Sequence, residues 1–288
     1  MEKNLLKLLK DNMDSFSKGH KLIAEYILEH YDKSAFMTAF KLGETVGVSE
    51  STVVRFASLL GYKGYPEFQK SLQELMRNKL TAVQRMELTD DRIGDGELLE
   101  QVMSIDVERI RESLSTISKS DFNRAVEKIA DAHTIYIIGN RSSAALASFA
   151  LYYLNLMFPI VKRVVSSSAS EMFEQIMRID EKDVIIGFSY PRYSSQTVTA
   201  LKFAHDKGAE VIAFTDTDNS PLAEYADCLL LARSDMASFV DSLVAPFSLL
   251  NALIVAVSIK KKDMISSNFK TLETVWEKYG AFDSAGDA

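Results

Sequence analysis

Beyond residue 134 the chain alternates short apolar runs with helix-length segments, and this alternation constrains the fold more than any other feature. The apolar runs are TIYII at 134–138, VKRVV at 161–165, DVIIGF at 183–188, EVIAFT at 210–215 and CLLLA at 228–232. Near-continuous apolar strands separated by helices are typical of a parallel sheet covered on both faces. We therefore predict a C-terminal α/β domain of three layers with a five-stranded parallel sheet.

Helical periodicity dominates the chain before this sheet. Helices are predicted within 5–37 and over 39–46, 49–60 and 66–80, with Ser17, Thr38 and Ser49 as candidate N-caps. A polar, glycine-containing stretch, LTDDRIGDG at 88–96, separates this part from a long helix predicted at 97–117. We predict an all-α helix-turn-helix domain at 1–80, a linker at 81–96, the α/β domain at 97–262, and a C-terminal helix and tail at 263–288.

The composition favours a protein of the cytoplasm. The chain has 288 residues, a net charge of −7 and one cysteine, Cys228, so an internal disulfide is excluded. Neither an uncharged apolar stretch of about 18 residues nor a signal-peptide cleavage site is recognisable, and we expect no membrane segment. Residues 1–80 carry a net charge of +2 and the remainder −9. An acidic protein can still bind DNA when its positive charge is concentrated on one face.

Residues 49–61 are the best candidate for a DNA-reading helix. Val53, Phe56 and Ala57 fall on one helical face, and the opposite face is polar. Short hydroxyl side chains and an arginine near a helix N-terminus suit phosphates and base edges in the major groove. The candidate DNA-binding residues are Ser49, Ser51, Thr52, Arg55, Ser58 and Lys63. A plain three-helix bundle with a polar outer face fits the spacing equally well.

Two polar loops follow predicted strands and open predicted helices: GNRSSA at 139–144 and SYPRYSS at 189–195. Open α/β sheets bind ligands at the carboxyl ends of their strands, and helix N-termini beside hydroxyls and arginines form anion sites. The alternative is that these serines only cap helices. The candidate ligand-binding residues are Asn140, Arg141, Ser142, Ser143, Ser189, Arg192, Tyr193, Ser194 and Ser195, with Glu171 from the loop after the second strand.

Other chemistries lack their motifs. The four histidines show no metal spacing, and the sequence has no Walker loop, dinucleotide fingerprint or nucleophile elbow. We expect no metal, no cofactor and no catalytic residue. An aldose–ketose isomerase would need a base, for which Glu171 is the nearest candidate and Asp241 a weaker one.

The run LGETVGVSESTVVRFASLLGYKGYPEF resembles the N-terminal domain of RpiR-type bacterial regulators. The resemblance covers about residues 1–80 and implies a helix-turn-helix that binds DNA. The family pattern VS-x-x-T-V-x-R-F-x-x-x-L-G-[FY]-x-G-[FY]-x-E-[FL] is matched in register by Val48, Ser49, Thr52, Val53, Arg55, Phe56, Leu60, Gly61, Tyr62, Gly64, Tyr65, Glu67 and Phe68.

Residues from about 105 to 260 resemble a sugar isomerase (SIS) domain. Such domains often carry G-x-G-x-S after the first strand; here Gly139 and Ser143 match, and Arg141 replaces the second glycine. The segment VIAFTDTDNSPLAEYAD also resembles the family, through Thr215, Asp216, Ser220, Pro221, Leu222 and Asp227.

The loop after the third predicted strand departs further from the family pattern S-x-S-G-x-T. Ser189 matches and Ser194 stands for the threonine, but Pro191 and Arg192 replace the middle pair. The resemblance implies a phosphosugar-like ligand. Arginines at these positions could strengthen phosphate binding, or could change the ligand class, for example to a carboxylate.

Together these features predict a transcription regulator, a repressor of carbohydrate genes, whose affinity for a double-stranded DNA operator depends on a small anionic metabolite. The resemblance implies a homodimer or homotetramer, with helices at 238–259 and 143–156 as candidate pairing surfaces. We expect the ligand to move the long helix at 97–117, which joins the domains. The alternatives are a sugar-phosphate isomerase with an extra helical domain, and an α/β half that only pairs two chains.

Overall fold

The computed structural model of the chain describes residues 5–77, 98–234 and 240–280. They fall into two compact units, one within residues 1–91 and the other within 92–288. The predicted linker at 81–96 and residues 281–288 of the predicted tail lie outside the described residues.

The first unit is helical throughout its described residues. Its helices are α1 (Leu5–Asp11), α2 (Lys18–Glu29), α3 (Tyr31–Ser34), α4 (Ala39–Val46), α5 (Glu50–Leu59) and α6 (Tyr65–Arg77), with a 3-10 turn at Met13–Ser15. The hydroxyls of Ser17, Thr38 and Ser49 accept hydrogen bonds from first-turn N–H groups of α2, α4 and α5. The three predicted N-caps are therefore confirmed.

Two glycines shape the turn between α4 and α5. Gly47 has a φ of 77°, a left-handed conformation that glycine adopts at little cost. A Cβ on Gly43 would lie 2.8 Å from the carbonyl oxygen of Val48, which is closer than a side chain allows. The packing of α4 against this turn holds α5 at a fixed angle and leaves its polar face outward.

The second unit holds a parallel sheet between layers of helices, which confirms the predicted fold. Its strands are β1 (Ile135–Gly139), β2 (Val161–Val164), β3 (Val184–Phe188), β4 (Glu210–Thr215) and β5 (Cys228–Leu231), in the order β2-β1-β3-β4-β5. Every neighbouring pair is parallel. Its helices are α7 (Leu98–Thr116), α8 (Lys119–Asp131), α9 (Ala144–Met157), α10 (Ala169–Ile176), α11 (Ser195–Asp206), α12 (Val244–Lys260) and α13 (Lys262–Tyr279).

Apolar side chains fill both faces of the sheet. On one face α8, α9 and α12 cover residues such as Ile137 and Ile186. On the other face α10 and α11 cover residues such as Tyr136 and Ile185. Successive residues of a strand point to opposite faces, so the burial of every residue of β1 and β3 requires their uninterrupted apolar runs.

The strand order reverses between β1 and β3. The chain leaves β1 through α9 to reach β2 on one side, whereas β3 lies on the other side of β1. Such a reversal opens a crevice at the carboxyl ends of the two strands. The loops 140–143 and 189–194 both leave the sheet at this crevice.

The long helix predicted at 238–259 begins later than expected. It starts at Val244, residues 240–243 are not helical, and residues 238 and 239 lie outside the described part of the chain. Pro246 accounts for the start, because proline has no N–H to donate and is tolerated only in the first turn of a helix.

Candidate functional site

Hydroxyl groups cluster at the N-terminus of α5. The Ser49 Oγ accepts a hydrogen bond from the Thr52 N–H at 3.3 Å and lies 2.9 Å from Ser51 Oγ and 2.8 Å from Thr52 Oγ1. These groups are next to the first-turn N–H groups of the helix, where the backbone dipoles favour an anion.

Arg55 lies one turn further along the exposed face of α5. Its Nε donates to the Ser51 carbonyl oxygen at 3.2 Å and its Nη2 to Ser51 Oγ at 3.5 Å, so most of the guanidinium faces solvent. Ser58 is exposed one turn later, and Lys63 is exposed in the loop before α6. The structure therefore brings Ser49, Ser51, Thr52 and Arg55 together and places Ser58 and Lys63 towards the far end of the helix.

The N-terminus of α2 lies beside this face, which the sequence reasoning missed. A Cβ on Gly19 would contact Thr52 Cγ2 at 3.4 Å, and the His20 ring centroid is 5.5 Å from that of Phe56. Burial, and then the charge of Arg55, lower the pKa of His20 from its ordinary value of 6.5. Only the predicted N-cap Ser17 pointed to this segment.

At the sheet crevice, Asn140 ties the two polar loops together. Its Nδ2 donates to Ser194 Oγ and to Thr197 Oγ1, both at 3.1 Å. Ser189 Oγ in turn accepts from the Ser194 N–H at 2.9 Å. The two predicted loops therefore meet, and α11 begins beside their contact. Thr197 is fully buried and was not among the predicted ligand-binding residues. The sequence signal that could have indicated it is its position three residues after the cap Ser194.

Tyr193 is held by a carboxylate on the next strand. Its hydroxyl donates to Asp216 Oδ1 at 2.8 Å, and Asp216 is 5% exposed just beyond β4. Tyr190 of the same loop is 4% exposed, and its hydroxyl has no hydrogen-bond partner among the residues that the structure describes. Burial, and then the Asp216 charge, raise the pKa of Tyr190 well above its usual range, so this phenol stays neutral.

Arg141 and Arg192 adopt a backbone conformation usual for glycine. Their φ angles are 56° and 66°, and within the described residues they are the non-glycine residues with positive φ. A left-handed conformation costs an ordinary residue about 1–2 kcal/mol. Both side chains are exposed, one on each loop. The departures from the SIS pattern thus keep the glycine geometry and add a guanidinium to it.

The remaining predicted ligand-binding residues differ in exposure and in their contacts. Ser142 and Ser195 are exposed at the loops, whereas Ser143 is only 4% exposed at the end of the 3-10 turn Arg141–Ser143. Glu171 does not join them. Its Oε2 accepts from the Ser167 N–H at 2.9 Å and from Ser167 Oγ at 3.1 Å, and Ser168 caps α10. This capping-box arrangement gives the Glu171 carboxylate a local structural role, because the groups it accepts from lie in its own loop.

Cys228 is a buried strand residue, as expected. It is inaccessible to solvent, and burial, followed by the nearby Glu210, raises the pKa of its thiol to about 12. Among the described residues, no group of three or more histidine, cysteine or acidic side chains is arranged to hold a metal ion. None of the described helices alone has the length and apolar character to cross a membrane; α12 and α13 meet that criterion only as a pair bent by 95°.

Two family models match the chain. Residues 3–79 match the helix-turn-helix domain of the rpiR family, and residues 128–256 match the SIS domain. The chain therefore combines a helix-turn-helix domain of the rpiR family with an SIS domain. The first match spans α1 to α6, and the second runs from the end of α8 into α12. Helix α7 of this RpiR-type regulator lies between the two matches.

Relatives of this RpiR-type regulator are similar along most of their length. It is 26% identical to an HTH-type transcriptional regulator of Haemophilus influenzae, over 96% of this chain and 97% of the relative. It is also 26% identical to HexR of Escherichia coli, over 94% and 93% of the two chains, and 21% identical to RpiR of the same species, over 87% and 84%. The chain is therefore a helix-turn-helix transcriptional regulator.

Solved structures share the fold of the regulator. The sugar isomerase domain of an RpiR transcription factor from Sphaerobacter thermophilus is 25% identical with a TM-score of 0.59, and the match covers 62% of this chain and 99% of that one. The Vibrio vulnificus NanR protein, complexed with ManNAc-6P, is 23% identical with a TM-score of 0.58, and the match covers 94% and 98% of the two chains.

Proposed function

We propose that this regulator reads a DNA operator through α5 and that a phosphosugar-like anion bound at the β1–β3 crevice controls its DNA affinity. The observation that carries this proposal is the contact of Asn140 with Ser194 and Thr197, at 3.1 Å each, which joins two hydroxyl-rich loops around a helix N-terminus at the strand reversal. The NanR relative, solved with ManNAc-6P, supports a phosphosugar as the ligand class.

The DNA-binding part of this proposal rests on the exposed polar face of α5. Ser49, Ser51 and Thr52 offer hydroxyls to phosphates, and Arg55 can reach a guanine edge with two parallel hydrogen bonds. The N-terminus of α2 adds the positive charge of Lys18 beside them, and His20 adds an imidazole ring whose lowered pKa favours the neutral form. Ser58 and Lys63 extend the contact along the groove.

Helix α7 connects ligand and DNA in this proposal. The Ser242 Oγ donates to Asp106 Oδ1 at 2.5 Å, and the Arg233 N–H donates to Ser113 Oγ at 2.9 Å. Arg233 and Ser242 both follow β5, which ends at the same edge of the sheet as the ligand loops. A ligand that shifts this edge of the sheet would therefore shift α7. In chain order, α7 is the first described helix after the DNA-binding unit.

Pairing of two chains completes the proposal. Two readers are needed for half-sites about 34–36 Å apart or a multiple of that distance. The predicted pairing helices both expose apolar side chains: Tyr152 on α9 is 62% exposed, and Ile259 on α12 is 69% exposed. We place the paired protein in the cytoplasm, with access to DNA, and assign it the role of a repressor.

A sugar-phosphate isomerase with an extra helical domain is the second candidate, because residues 128–256 match the SIS (sugar isomerase) domain. The geometry gives it less support than the regulator. Glu171 is held in its own loop, and Asp216 is buried and accepts a hydrogen bond from Tyr193. An isomerase needs a base that reaches the substrate carbon. Conversion of an aldose phosphate to a ketose phosphate by the purified protein would establish isomerase activity.

The test of the regulator starts with selection of DNA from a random library by the full-length protein. We expect one enriched sequence with two half-sites. Fluorescence anisotropy at fixed salt should then show that a phosphosugar changes the affinity about 5- to 150-fold. A thermal-shift screen identifies the ligand, since binding at about 100 times its Kd stabilises the protein by about 2.7 kcal/mol. Recovery of no common DNA sequence would contradict the proposal.

A further inference from the structure

Helix α5 exposes a valine on the face that the proposed function assigns to DNA. Val54 is 38% exposed, and Ser51, Arg55 and Ser58 are exposed around it. Successive residues of a helix are rotated by about 100°, so Ser51 and Ser58 share the middle of this face. Arg55 flanks them on one side and Val54 on the other. The valine thus belongs to the exposed face, whereas its neighbour Val53 is fully buried.

The polar groups on this face have hydrogen-bond partners within their own segment. Arg55 Nε donates to the Ser51 carbonyl oxygen at 3.2 Å, and Ser58 Oγ donates to the Val54 carbonyl oxygen at 3.3 Å. The Ser51 hydroxyl lies 2.9 Å from Ser49 Oγ. These polar groups must exchange such bonds for bonds to DNA, whereas the methyl groups of Val54 have none to exchange.

Helix stability alone does not favour valine at position 54. At an exposed helical position, β-branched residues are weaker helix formers than alanine, leucine or lysine. The restriction that weakens valine in a helix also holds its side chain in one strongly preferred rotamer. The two methyl groups of Val54 therefore keep a defined position on the surface of α5 and lose little freedom when they contact a partner.

We propose that Val54 contacts the C5-methyl group of a thymine in the major groove and thereby determines one base pair of the operator. This inference rests on the proposed reading of DNA by α5. The thymine methyl is the apolar group among the base edges of the major groove, where cytosine presents a polar N4 donor instead. Ser51 and Arg55 supply polar contacts beside it, so the polar and apolar parts of this face contact different groups of the DNA.

Single thymine-to-uracil replacements in the selected operator test this contact, because uracil pairs like thymine but lacks the methyl group. Fluorescence anisotropy of the full-length protein at fixed salt should reveal, in each half-site, one thymine whose replacement weakens binding about fourfold, the effect of one methyl group removed from water. Val54→Ala should bind the thymine and uracil forms of this operator equally, and should keep the wild-type response to replacement of the other thymines.

Two controls separate this contact from folding and from the loss of any exposed valine. Thermal melts of Val54→Ala should match those of the native protein, because the side chain is exposed. Val275→Ala truncates a valine that is 44% exposed on α13 and should keep the response to uracil. The absence of a sensitive thymine, or a sensitivity that Val54→Ala retains in full, would overturn the inference and leave the reading of DNA by α5 intact. Recovery of no common DNA sequence would contradict the proposed function itself.

Discussion

Single side chains on α5 and on the ligand loops can be changed with little effect on the packed core. Arg55 is exposed and its guanidinium donates to Ser51 of its own helix, at 3.2 Å and 3.5 Å. Exposed polar contacts of this kind contribute little to the free energy of unfolding. Effects of these residues on DNA or ligand binding can therefore be separated from effects on folding.

Arg55→Ala should reduce operator affinity by about 1–3 kcal/mol, roughly 5- to 150-fold, because a two-pronged contact with a base is lost. The melting temperature should stay the same. Lys33→Ala on α3 is a control that removes an exposed positive charge from the same unit. Anisotropy titrations and thermal melts measure both quantities, and a large fall in stability would assign Arg55 to the fold instead.

Arg141→Gly and Arg192→Gly should leave the ligand-free protein equally stable or slightly more stable. Relief of about 1–2 kcal/mol of left-handed strain opposes the greater freedom that glycine has in the unfolded chain, which is worth about 0.4–1 kcal/mol. Arg141→Val should instead lower the free energy of unfolding, because a β-branched residue is poorly tolerated at positive φ. Denaturant unfolding of the ligand-free variants checks the order.

At the scale of elements, the two functional faces are helix N-termini that neighbouring elements position. Gly43 and Gly47 position α5 against α4, and α2 packs its own N-terminus alongside. In the second unit, the crevice between β1 and β3 exists because consecutive strands were added on opposite sides of β1. Helix α7, which neither family match covers, is bound to the segment after β5.

The packing of α2 beside α5 makes the first unit sensitive to pH. The pKa of His20 is lowered from 6.5 in the folded protein, so the neutral ring is favoured. The stabilisation is present above the unfolded pKa and is lost as the pH falls through the folded pKa. NMR titration of the ring protons should give a His20 pKa below 6.5 that rises in Arg55→Ala. A pKa that does not respond to Arg55→Ala would show that Arg55 does not act on the ring.

Much of this architecture could be predicted because it depends on local patterns. The strands β1, β3 and β4 are almost wholly buried, whereas β2 and β5 are partly exposed. The apolar runs and their spacing nevertheless locate all five strands to within a residue or so at each end. The N-caps Ser17, Thr38 and Ser49 need only their own helices. The positions of Asp216 and His20 beside the sites depend on packing between distant segments, which no local pattern records; Thr197 differs, because it follows the cap Ser194 by three residues. The hydrogen bonds that Glu171 accepts from Ser167 of its own loop were likewise not indicated by its closeness in sequence to a strand end.

At the scale of the whole molecule, regulation requires a path between the two units. The contacts of Asp106 with Ser242 and of Ser113 with Arg233 bind α7 to the ligand-side edge of the sheet. Ligand binding can change DNA affinity only to the extent that the ligand favours one arrangement of such a contact over another.

Ser242→Ala should therefore preserve both ligand affinity and DNA affinity while shrinking the effect of one on the other. A coupling of about 1–3 kcal/mol in the native protein should fall towards zero. Ser258→Ala on α12, whose hydroxyl donates to the Val255 carbonyl oxygen of its own helix, is the matched control. Paired titrations with and without the ligand measure the coupling; unchanged coupling would exclude this contact from the path.

Pairing is testable at the same scale. A double variant, Tyr152→Glu with Ile259→Glu, places charge on the exposed apolar positions of α9 and α12 and should yield monomers with greatly weakened operator binding. Sedimentation velocity gives the mass in solution. Met177→Glu, at a side chain 60% exposed near the opposite edge of the sheet, should leave the assembly intact.

The burial of Cys228 has a practical consequence for experiments on this protein. Maleimides and similar reagents attack thiolates that solvent can reach, and this thiol is inaccessible, with a pKa of about 12. Because the chain has no second cysteine, cysteines engineered at surface positions become the sole attachment points for fluorophores or spin labels. A pair of dyes placed in this way, one on α5 and one on α13, would report the separation of the two units in solution. Cys228 would not need to be replaced.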